Sequence, residues 1–479
     1  MIKHIIGYLQ KSTYKVYGFK IIHFIATVGV FYIFFLLFRY GTFHILNRYG
    51  YRYNYYAAIL YGLMILFFSR TYNSYLVGYS RIRTLVLGQF FSQALSIVLL
   101  YFIISLAWGH FINPLAFLPM MAIQLIIDVI WSYFGSILYY KLYGTKKALL
   151  IYRNQVDKRR VGSIYGNPLG RIYKIIDELQ YDGSFHQLQE KLNNYDAIFV
   201  AGVNSSCRNG ILKYCKENNI AGFFLPHIGD TIMQEAKHIK TFDAPVLYVN
   251  RKELDPEFAV IKRAFDIVSS GTALILLSPI ILITALGIHL YDGGPAFYRQ
   301  TRLTRDGKKF KILKFRSMRV DAEKDGVARL SKGENDDRIT PIGRVVRRYR
   351  LDEIPQLWNI LKGDMSVVGP RPERPEIAEE YYKKMPDFKL RLQVKAGLTG
   401  YAQVYGKYNT APYEKLEFDL LYINNMSILI DLQLCFATIM TLFKKESTEG
   451  VEGVTAIDLD LDELQEVQTK NRPISNFEK

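Results

Sequence analysis

Two adjacent carboxylates, Asp352 and Glu353, sit in the run Arg344-Val345-Val346-Arg347-Arg348-Tyr349-Arg350-Leu351-Asp352-Glu353-Ile354-Pro355-Gln356-Leu357-Trp358-Asn359. A carboxylate among arginines is held anionic at neutral pH, which suits it to nucleophilic attack, because nearby cations favour the charged form. The run reads as a helix, on which consecutive side chains diverge by about 100°. The two acids therefore take different jobs. Arginines one and two turns earlier are expected to depress both carboxylate pKa values, while Ile354, Leu357 and Trp358 pack inward or meet a membrane interface. An acidic pair is also common on solvated helix surfaces, so alone it specifies nothing.

Two further clusters supply cations. In Lys314-Phe315-Arg316-Ser317-Met318-Arg319 cations and apolar residues alternate. On a strand, Lys314, Arg316 and Ser317 can present donors to a phosphate while Phe315 and Met318 anchor the backbone. In Gly363-Asp364-Met365-Ser366-Val367-Val368-Gly369-Pro370-Arg371-Pro372-Glu373 the prolines on either side of Arg371 fix its backbone. That rigidity pre-organises the guanidinium for bidentate phosphate binding. Pro372 is part of that device, and Glu373 orients the arginine, helps a metal or is a simple surface partner. Gathered between Gly293 and Gly400, these groups are the equipment for holding phosphates beside a working carboxylate.

Such clusters need a scaffold, and 479 residues allow about three folded units. The formal charge of +17 fits nucleic acid, an anionic membrane surface or phosphorylated substrates. Half the residues are apolar and 14% aromatic, with 36 Tyr and 30 Phe against 3 Trp, a profile natural in lipid. Four apolar stretches, Ile21 to Phe38, Tyr55 to Phe68, Leu85 to Trp108 and Leu115 to Tyr140, are near or above the length that crosses roughly 30 Å of hydrocarbon. The second is the shortest and reads alternatively as a buried soluble helix. Lys3, Lys11, Lys15 and Lys20 precede the first stretch without a cleavage site after it, so no signal peptide is expected. With Lys141, Lys146 and Lys147 after the fourth, they place both ends of the bundle in the cytoplasm. Asp128, inside the fourth stretch, needs a polar partner within the bundle.

The chain then turns soluble. Strand-like runs at Ala148 to Tyr152, Ala197 to Ala201, Gly222 to Leu225 and Val246 to Val249, with a helix over Ile211 to Glu217, predict a small Rossmann-like α/β domain with a parallel sheet over 146–252. Its first turn, Tyr152-Arg153-Asn154-Gln155, lacks the glycines of a dinucleotide fingerprint, and a regulatory or assembly role is the default. Cys207, Cys215 and Cys435 are too scattered for a metal knuckle or a disulfide framework. A fifth apolar stretch, Phe265 to Leu290, is interrupted by Ser278 and Pro279. The dense basic run after it, from Arg299 to Arg319, belongs on the cytoplasmic side. A helix that enters one leaflet and returns satisfies both signals, with a kinked span as the alternative; proline bends the helix and Ser278 can partner a freed carbonyl. From about Glu446 the tail is acidic, with Asp458, Asp460, Asp462 and Glu463 close together, and reads as a partly ordered extension.

The three clusters, with Gln300, Asp337-Arg338-Ile339-Thr340, the Lys395-Ala396-Gly397-Leu398-Thr399-Gly400 turn and the segment Asp419 to Asp431, closely resemble the bacterial sugar transferases, the polyprenyl-phosphate glycosyl-1-phosphate transferases. The resemblance covers about Ile261 to Thr441, and four preceding spans plus a degenerate α/β domain resemble that family's large members. It implies a fold of three parts: an α-helical membrane bundle over 1–145, the α/β domain, and an α+β monotopic catalytic domain over 257–446. The catalytic domain would be anchored by a re-entrant helix at about 261–290 broken at Ser278 and Pro279, with the acidic tail over 447–479. It implies a multi-pass protein of the bacterial cytoplasmic membrane with its site on the inner face. The reaction implied is Mg²⁺-dependent, with Asp352 at the metal: Asp352 attacks the sugar-bearing phosphate of a UDP-sugar, UMP leaves, and polyprenyl (undecaprenyl) phosphate takes the phosphosugar from the aspartyl intermediate. Glu353 assists, and Lys314, Arg316, Ser317, Arg338, Arg371, Pro372 and Glu373 form the phosphate-binding set. The pathway implied is the start of exopolysaccharide, capsule or O-antigen assembly.

Three positions depart from the family pattern: Arg350 replaces a small hydroxyl residue, Thr304 a glycine, and Ala396 what is often a proline. They bear on donor fit rather than on the acidic pair. Rival readings are a glycosyltransferase that releases UDP, weakened by the missing paired-aspartate motif, and a non-catalytic scaffold, weakened by the intact Asp352-Glu353 pair. Nucleic acid is not an expected partner, because the basic residues flank membrane segments where anionic lipid and phosphate substrates account for them. A homo-oligomer is compatible with the sequence.

Overall fold

The four N-terminal apolar stretches fold as helices α1 (Ile2–Gly41), α2 (Arg52–Thr71), α3 (Ile82–Trp108) and α4 (Leu118–Tyr143). The computed structural model describes residues 2–41, 52–109, 111, 113–165, 169–240, 245–252, 254–320, 322, 336–406 and 411–442, so the acidic tail lies outside the described residues. Among them, four segments are long and apolar enough to cross a membrane: Gly18–Leu37, Ile82–Ala107, Pro114–Tyr143 and Pro256–Asp292. Helix α2 is not one of the four. It nevertheless packs Ala58, Tyr61 and Ile65 inward and leaves Ile59, Leu63, Leu66 and Phe67 exposed, an outward apolar stripe suited to lipid. The interior of the bundle is polar where it must be. Asp128 is 0% exposed, and Gln93 Nε2 donates to its Oδ1 at 2.8 Å while His23 Nε2 lies 2.9 Å from the same oxygen. The polar partner that burial of a carboxylate demands is therefore inside the bundle.

The same compact unit, which runs to Leu225, includes a four-stranded parallel sheet in the order β2-β1-β3-β4. Its strands are β1 (Lys146–Tyr152), β2 (Tyr173–Gln180), β3 (Ala197–Ala201) and β4 (Ala221–Phe224). Central β1 and β3 read as apolar runs because both their faces are covered. Edge strand β2 carries Lys174, Asp177 and Glu178 and had no apolar run to mark it. Helix α5 (Gln155–Tyr165) follows β1, and α6 (Ser205–Glu217) joins β3 to β4 and contains the expected helix. The strand expected at Val246 to Val249 is not in this sheet. Lys237–Lys240 (β5) and Pro245–Tyr248 (β6) pair with each other as an antiparallel hairpin. Pairing with a neighbour a few residues away closes a short loop, whereas a fifth parallel strand needs a crossover of a dozen or more residues.

The second unit, from Pro226, is organised around α7 (Pro256–Asp292), 37 residues that continue through Pro279. Ser278 Oγ donates to Ile275 O at 2.8 Å beside that proline. The first turns of α7 bury Lys262, Asp266 and Ser270, spaced four apart on one face, and expose Val260, Ile261 and Val268 on the other. Its last turns also reach the fold: Ile288 packs with Phe315 and Val346, and Asp292 pairs with Arg316. Between them Ile275 and Leu276 are 75% and 72% exposed. After α7 come an antiparallel pair, β7 (Phe297–Leu303) and β8 (Lys309–Phe315), then helices α8 (Pro341–Arg348) and α9 (Gln356–Lys362). Strand β9 (Ser366–Val368) pairs in parallel with β10 (Gly397–Thr399), with α10 (Pro375–Lys384) between them. Helices α11 (Pro412–Asn424) and α12 (Ile428–Leu442) close a core that includes Ile312, Ile360, Met365, Phe388 and Leu416.

Candidate active site

The acidic pair does not lie on the single helix its sequence predicts. Helix α8 is capped at its start, where Thr340 Oγ1 accepts from Gly343 N at 3.0 Å, and it stops at Arg348. Arg350 takes a left-handed conformation, φ 52° and ψ 25°, and Leu351–Glu353 form a tight 3₁₀ turn before α9. Pro355, lacking an N–H, cannot continue a helix from upstream but opens one downstream. The left-handed residue costs on the order of 1–2 kcal/mol. It turns the chain so that the two acids stand at a corner between two helices.

At that corner their surroundings differ. Arg371 Nη2 donates to Glu353 Oε1 at 2.8 Å, and Lys314 Nζ lies 3.7 Å from the same oxygen. Burial alone would push Glu353 up, but Arg371, Lys314 and Arg350 outweigh it and hold the carboxyl at about 2. Asp352 has no hydrogen bond or ion pair among the described residues. Burial, reinforced by the charge of Glu353, pushes it up to about 6 against Lys314, Arg347 and Arg371. The expectation that arginines depress both acids is thus corrected: the cations prevail on Glu353, whereas on Asp352 burial and the neighbouring anion outweigh them. Two carboxyls driven apart in this way mark a division of roles.

Three elements bring the cations in. Lys314 stands on β8, whose outer edge is completed by a side chain from α9: Leu313 N donates to Asn359 Oδ1 and Asn359 Nδ2 donates to Lys311 O, both at 2.9 Å. Phe315, the expected anchor, stacks on Phe297 with ring centroids 5.1 Å apart. Arg371 stands on the turn after β9, where Gly369 N donates to Thr399 O at 2.8 Å and Gly397 N to Pro370 O at 2.9 Å. The two chains approach so closely that a Cβ on Gly397 would lie 2.0 Å from Gly369 N. Strand β7 grips the far side of the turn, with Arg302 Nη1 donating to Pro372 O at 3.2 Å and Leu303 N to Glu373 O at 3.0 Å. Arg391 fastens it from below: its Nη2 donates to Arg371 O at 2.8 Å and pairs with Asp419 Oδ2 at 2.7 Å, while its Nη1 lies 3.4 Å from Glu373 Oε1. Burial pushes Glu373 up, but Lys415, Arg391, Arg302 and Arg371 hold it below its ordinary value.

Lys314, Asp352, Glu353 and Arg371 therefore come together, with Pro372 and Glu373 in the supporting turn. Arg316 is 8% exposed and pairs with Asp292 at the end of α7. Ser317 offers its carbonyl to Thr340 N at 3.1 Å. Arg338 grips both oxygens of Asp336, at 2.8 and 2.7 Å. Sequence reasoning missed Asn359, Arg302 and Arg391 as supports. Nothing in their spacing marks them, since each acts on backbone far away in the chain. Among the described residues no group of three or more His, Cys, Asp or Glu could hold a metal. A hard cation such as Mg²⁺ needs only one or two protein carboxylates when phosphate oxygens and water complete its shell. With Glu353 held by Arg371, Asp352 is the carboxylate fitted to that part.

Comparison with known proteins places this site in context. Residues 257–445 match the family described as bacterial sugar transferase. The chain is 41% identical over 214 residues to a UDP-glucose:undecaprenyl-phosphate glucose-1-phosphate transferase of Klebsiella pneumoniae, covering 44% of each chain. It is 39% identical over 190 residues to a UDP-N-acetylgalactosamine-undecaprenyl-phosphate N-acetylgalactosaminephosphotransferase of Aeromonas hydrophila, covering 39% of this chain and 44% of that one. An exopolysaccharide production protein, PSS, of Rhizobium leguminosarum bv. phaseoli is 41% identical over 191 residues, which are 38% of this chain but 94% of the relative. The match spans somewhat under half the length of the first two relatives and nearly all of the third.

Proposed function

Since the chain belongs to the bacterial sugar transferase family, we propose that it transfers a sugar 1-phosphate from a UDP-sugar to a polyprenyl phosphate such as undecaprenyl phosphate and releases UMP. The observation that carries this reading is the unequal pair: Glu353 is clamped by Arg371 and Lys314, and Asp352 beside it is left to react. An Asp352 oxygen attacks the phosphorus that bears the sugar, the P–O bond to the α-phosphate breaks, and UMP leaves with that electron pair. An oxygen of the polyprenyl phosphate then attacks the same phosphorus, the aspartyl–phosphate bond breaks, and the carboxylate is regenerated with a sugar diphospholipid as product. A carboxylate nucleophile divides one displacement between two anions into two easier ones. Arg371 and Lys314 keep Glu353 anionic and hold positive charge at the corner where the transferring phosphoryl sits. Asp352 would hold Mg²⁺, which when bound would supply neutralisation of charge on the diphosphate.

The membrane supplies the second substrate. A straight helix of 37 residues runs roughly 55 Å, and if α7 crossed the bilayer its ends would lie on opposite sides. Both ends pack on one fold, which supports a re-entrant course bent at Pro279, with the site at the cytoplasmic face of the inner membrane. There a soluble nucleotide sugar and a lipid phosphate reach one carboxylate, and the product begins exopolysaccharide, capsule or O-antigen assembly. The test is product analysis. Purified full-length protein given polyprenyl phosphate, Mg²⁺ and a panel of UDP-sugars is expected to release UMP, and Asp352→Asn to lower the rate by at least about 10³-fold. Release of UDP, or an active Asp352→Asn, sinks the reading.

A further inference from the structure

In its first turns helix α7 buries polar residues, Lys262, Asp266 and Ser270, and turns the apolar Val260, Ile261 and Val268 away. Three consecutive contacts from its polar face reach the two segments that make the site. Lys262 Nζ pairs with Asp431 Oδ2 at 2.6 Å, donates to Tyr422 OH at 3.2 Å and to Val368 O at 3.3 Å. The Tyr422 hydroxyl in turn lies 2.8 Å from Asp431 Oδ1 and 3.1 Å from Val368 O. One turn later Asp266 Oδ1 accepts from Ser366 Oγ and Val367 N, both at 2.9 Å. Every residue of β9, the strand that delivers Arg371, is thus held by α7 or by the pair Lys262–Asp431. Between those contacts, Arg263 donates to Ile360 O at 2.7 Å and Leu361 O at 2.8 Å, in the last turn of α9, the helix that follows the acidic pair.

We propose that Lys262, acting with Asp431 and Tyr422, is a positioning residue that sets how far Arg371 reaches toward Glu353, making the membrane helix part of the scaffold of the site. A buried ion pair is a poor source of stability, since apolar residues of similar volume often replace one without loss. The hydrogen bonds that Lys262 and Tyr422 both donate to Val368 O, three residues before Arg371, give it a geometric task instead. Displacement of a positioned group by about 1 Å can cost on the order of 10²-fold in rate.

This rests on the transfer reading above, so the full-length wild type is assayed first. No UMP from any UDP-sugar would overturn that reading before variants are compared. With an active wild type, Lys262→Met and Asp431→Leu are made singly and together, and thermal midpoint, kcat and KM are measured in the same detergent. Each single variant leaves a buried group unpaired and lowers the midpoint. The double variant is expected to regain the wild-type midpoint with kcat still down by at least about tenfold, and Lys262→Arg to keep most of kcat. A double variant that regains both midpoint and kcat overturns the proposal. Should the double variant not fold, Tyr422→Phe, which conserves volume, decides: at an unchanged midpoint, a several-fold lower kcat supports the positioning role and an unchanged kcat overturns it.

Discussion

Asp352 and Glu353 are neighbours in sequence, yet one is pushed up to about 6 and the other held at about 2. On the proposed reading Asp352 attacks as the ionised carboxylate, so kcat/KM should fall with a single proton as pH drops through about 6. Glu353→Gln removes the anion that raises Asp352 and releases Arg371 and Lys314 to act on it. The rate should fall and the acid limb should move to lower pH; a limb that stays put or moves up contradicts the coupling. The charge of Arg347 opposes the rise of Asp352, and that of Arg350 helps to hold Glu353 down. Two of the three family departures also prove to be one feature, since Ala396 N donates to Thr304 Oγ1 at 3.1 Å. A proline at 396 would have no N–H to satisfy, and with alanine there the threonine hydroxyl supplies the acceptor.

Among the elements, those legible in sequence are the ones whose pattern is complete within themselves. The apolar lengths of α1, α3 and α4 and the doubly buried runs of β1 and β3 need no distant partner to be recognised; strand β8 ends at Phe315, so Arg316 and Ser317, expected on it, lie beyond its end. The 3₁₀ turn under Asp352 was not legible, because Arg350 adopts a conformation that arginine does not favour and that only the packed fold imposes. Edge strand β2 and the hairpin of β5 and β6 were obscured for a related reason: pairing partners, not periodicity, decide where such strands go. Helix α7 was legible as apolar and interrupted, and its inward polar stripe was not. Its course gives a direct test. Single cysteines placed at Glu257, in the first turn of α7, and at Arg299, beyond its end, should both react with an impermeant thiol reagent from the cytoplasmic face only. Labelling of the two from opposite faces contradicts a re-entrant helix.

At the scale of the whole chain, the residues through Leu225 form one compact unit and those from Pro226 another. All of the site residues belong to the second, and 38% of this chain is enough to match the Rhizobium relative over 94% of its length. A fragment starting at Pro226 and inserted in membranes should therefore release UMP at a rate within about tenfold of the full chain at equal folded concentration. A folded fragment with no activity would mean that the bundle and its parallel sheet take part in the chemistry. On the proposed reading the positive charge of +17 is accounted for by cations flanking membrane segments, which would meet anionic lipid, and by those at the site, which would meet phosphates.

On the proposed reading Asp352 carries the phosphosugar. Incubation of the full-length protein with its UDP-sugar and Mg²⁺, without polyprenyl phosphate, followed by acid quench, proteolysis and mass spectrometry, tests it most directly. A sugar phosphate adduct on the peptide containing Asp352, lost on addition of polyprenyl phosphate and absent from Asp352→Asn, is the predicted result. UMP release without that adduct, or an adduct on any other residue, contradicts the account.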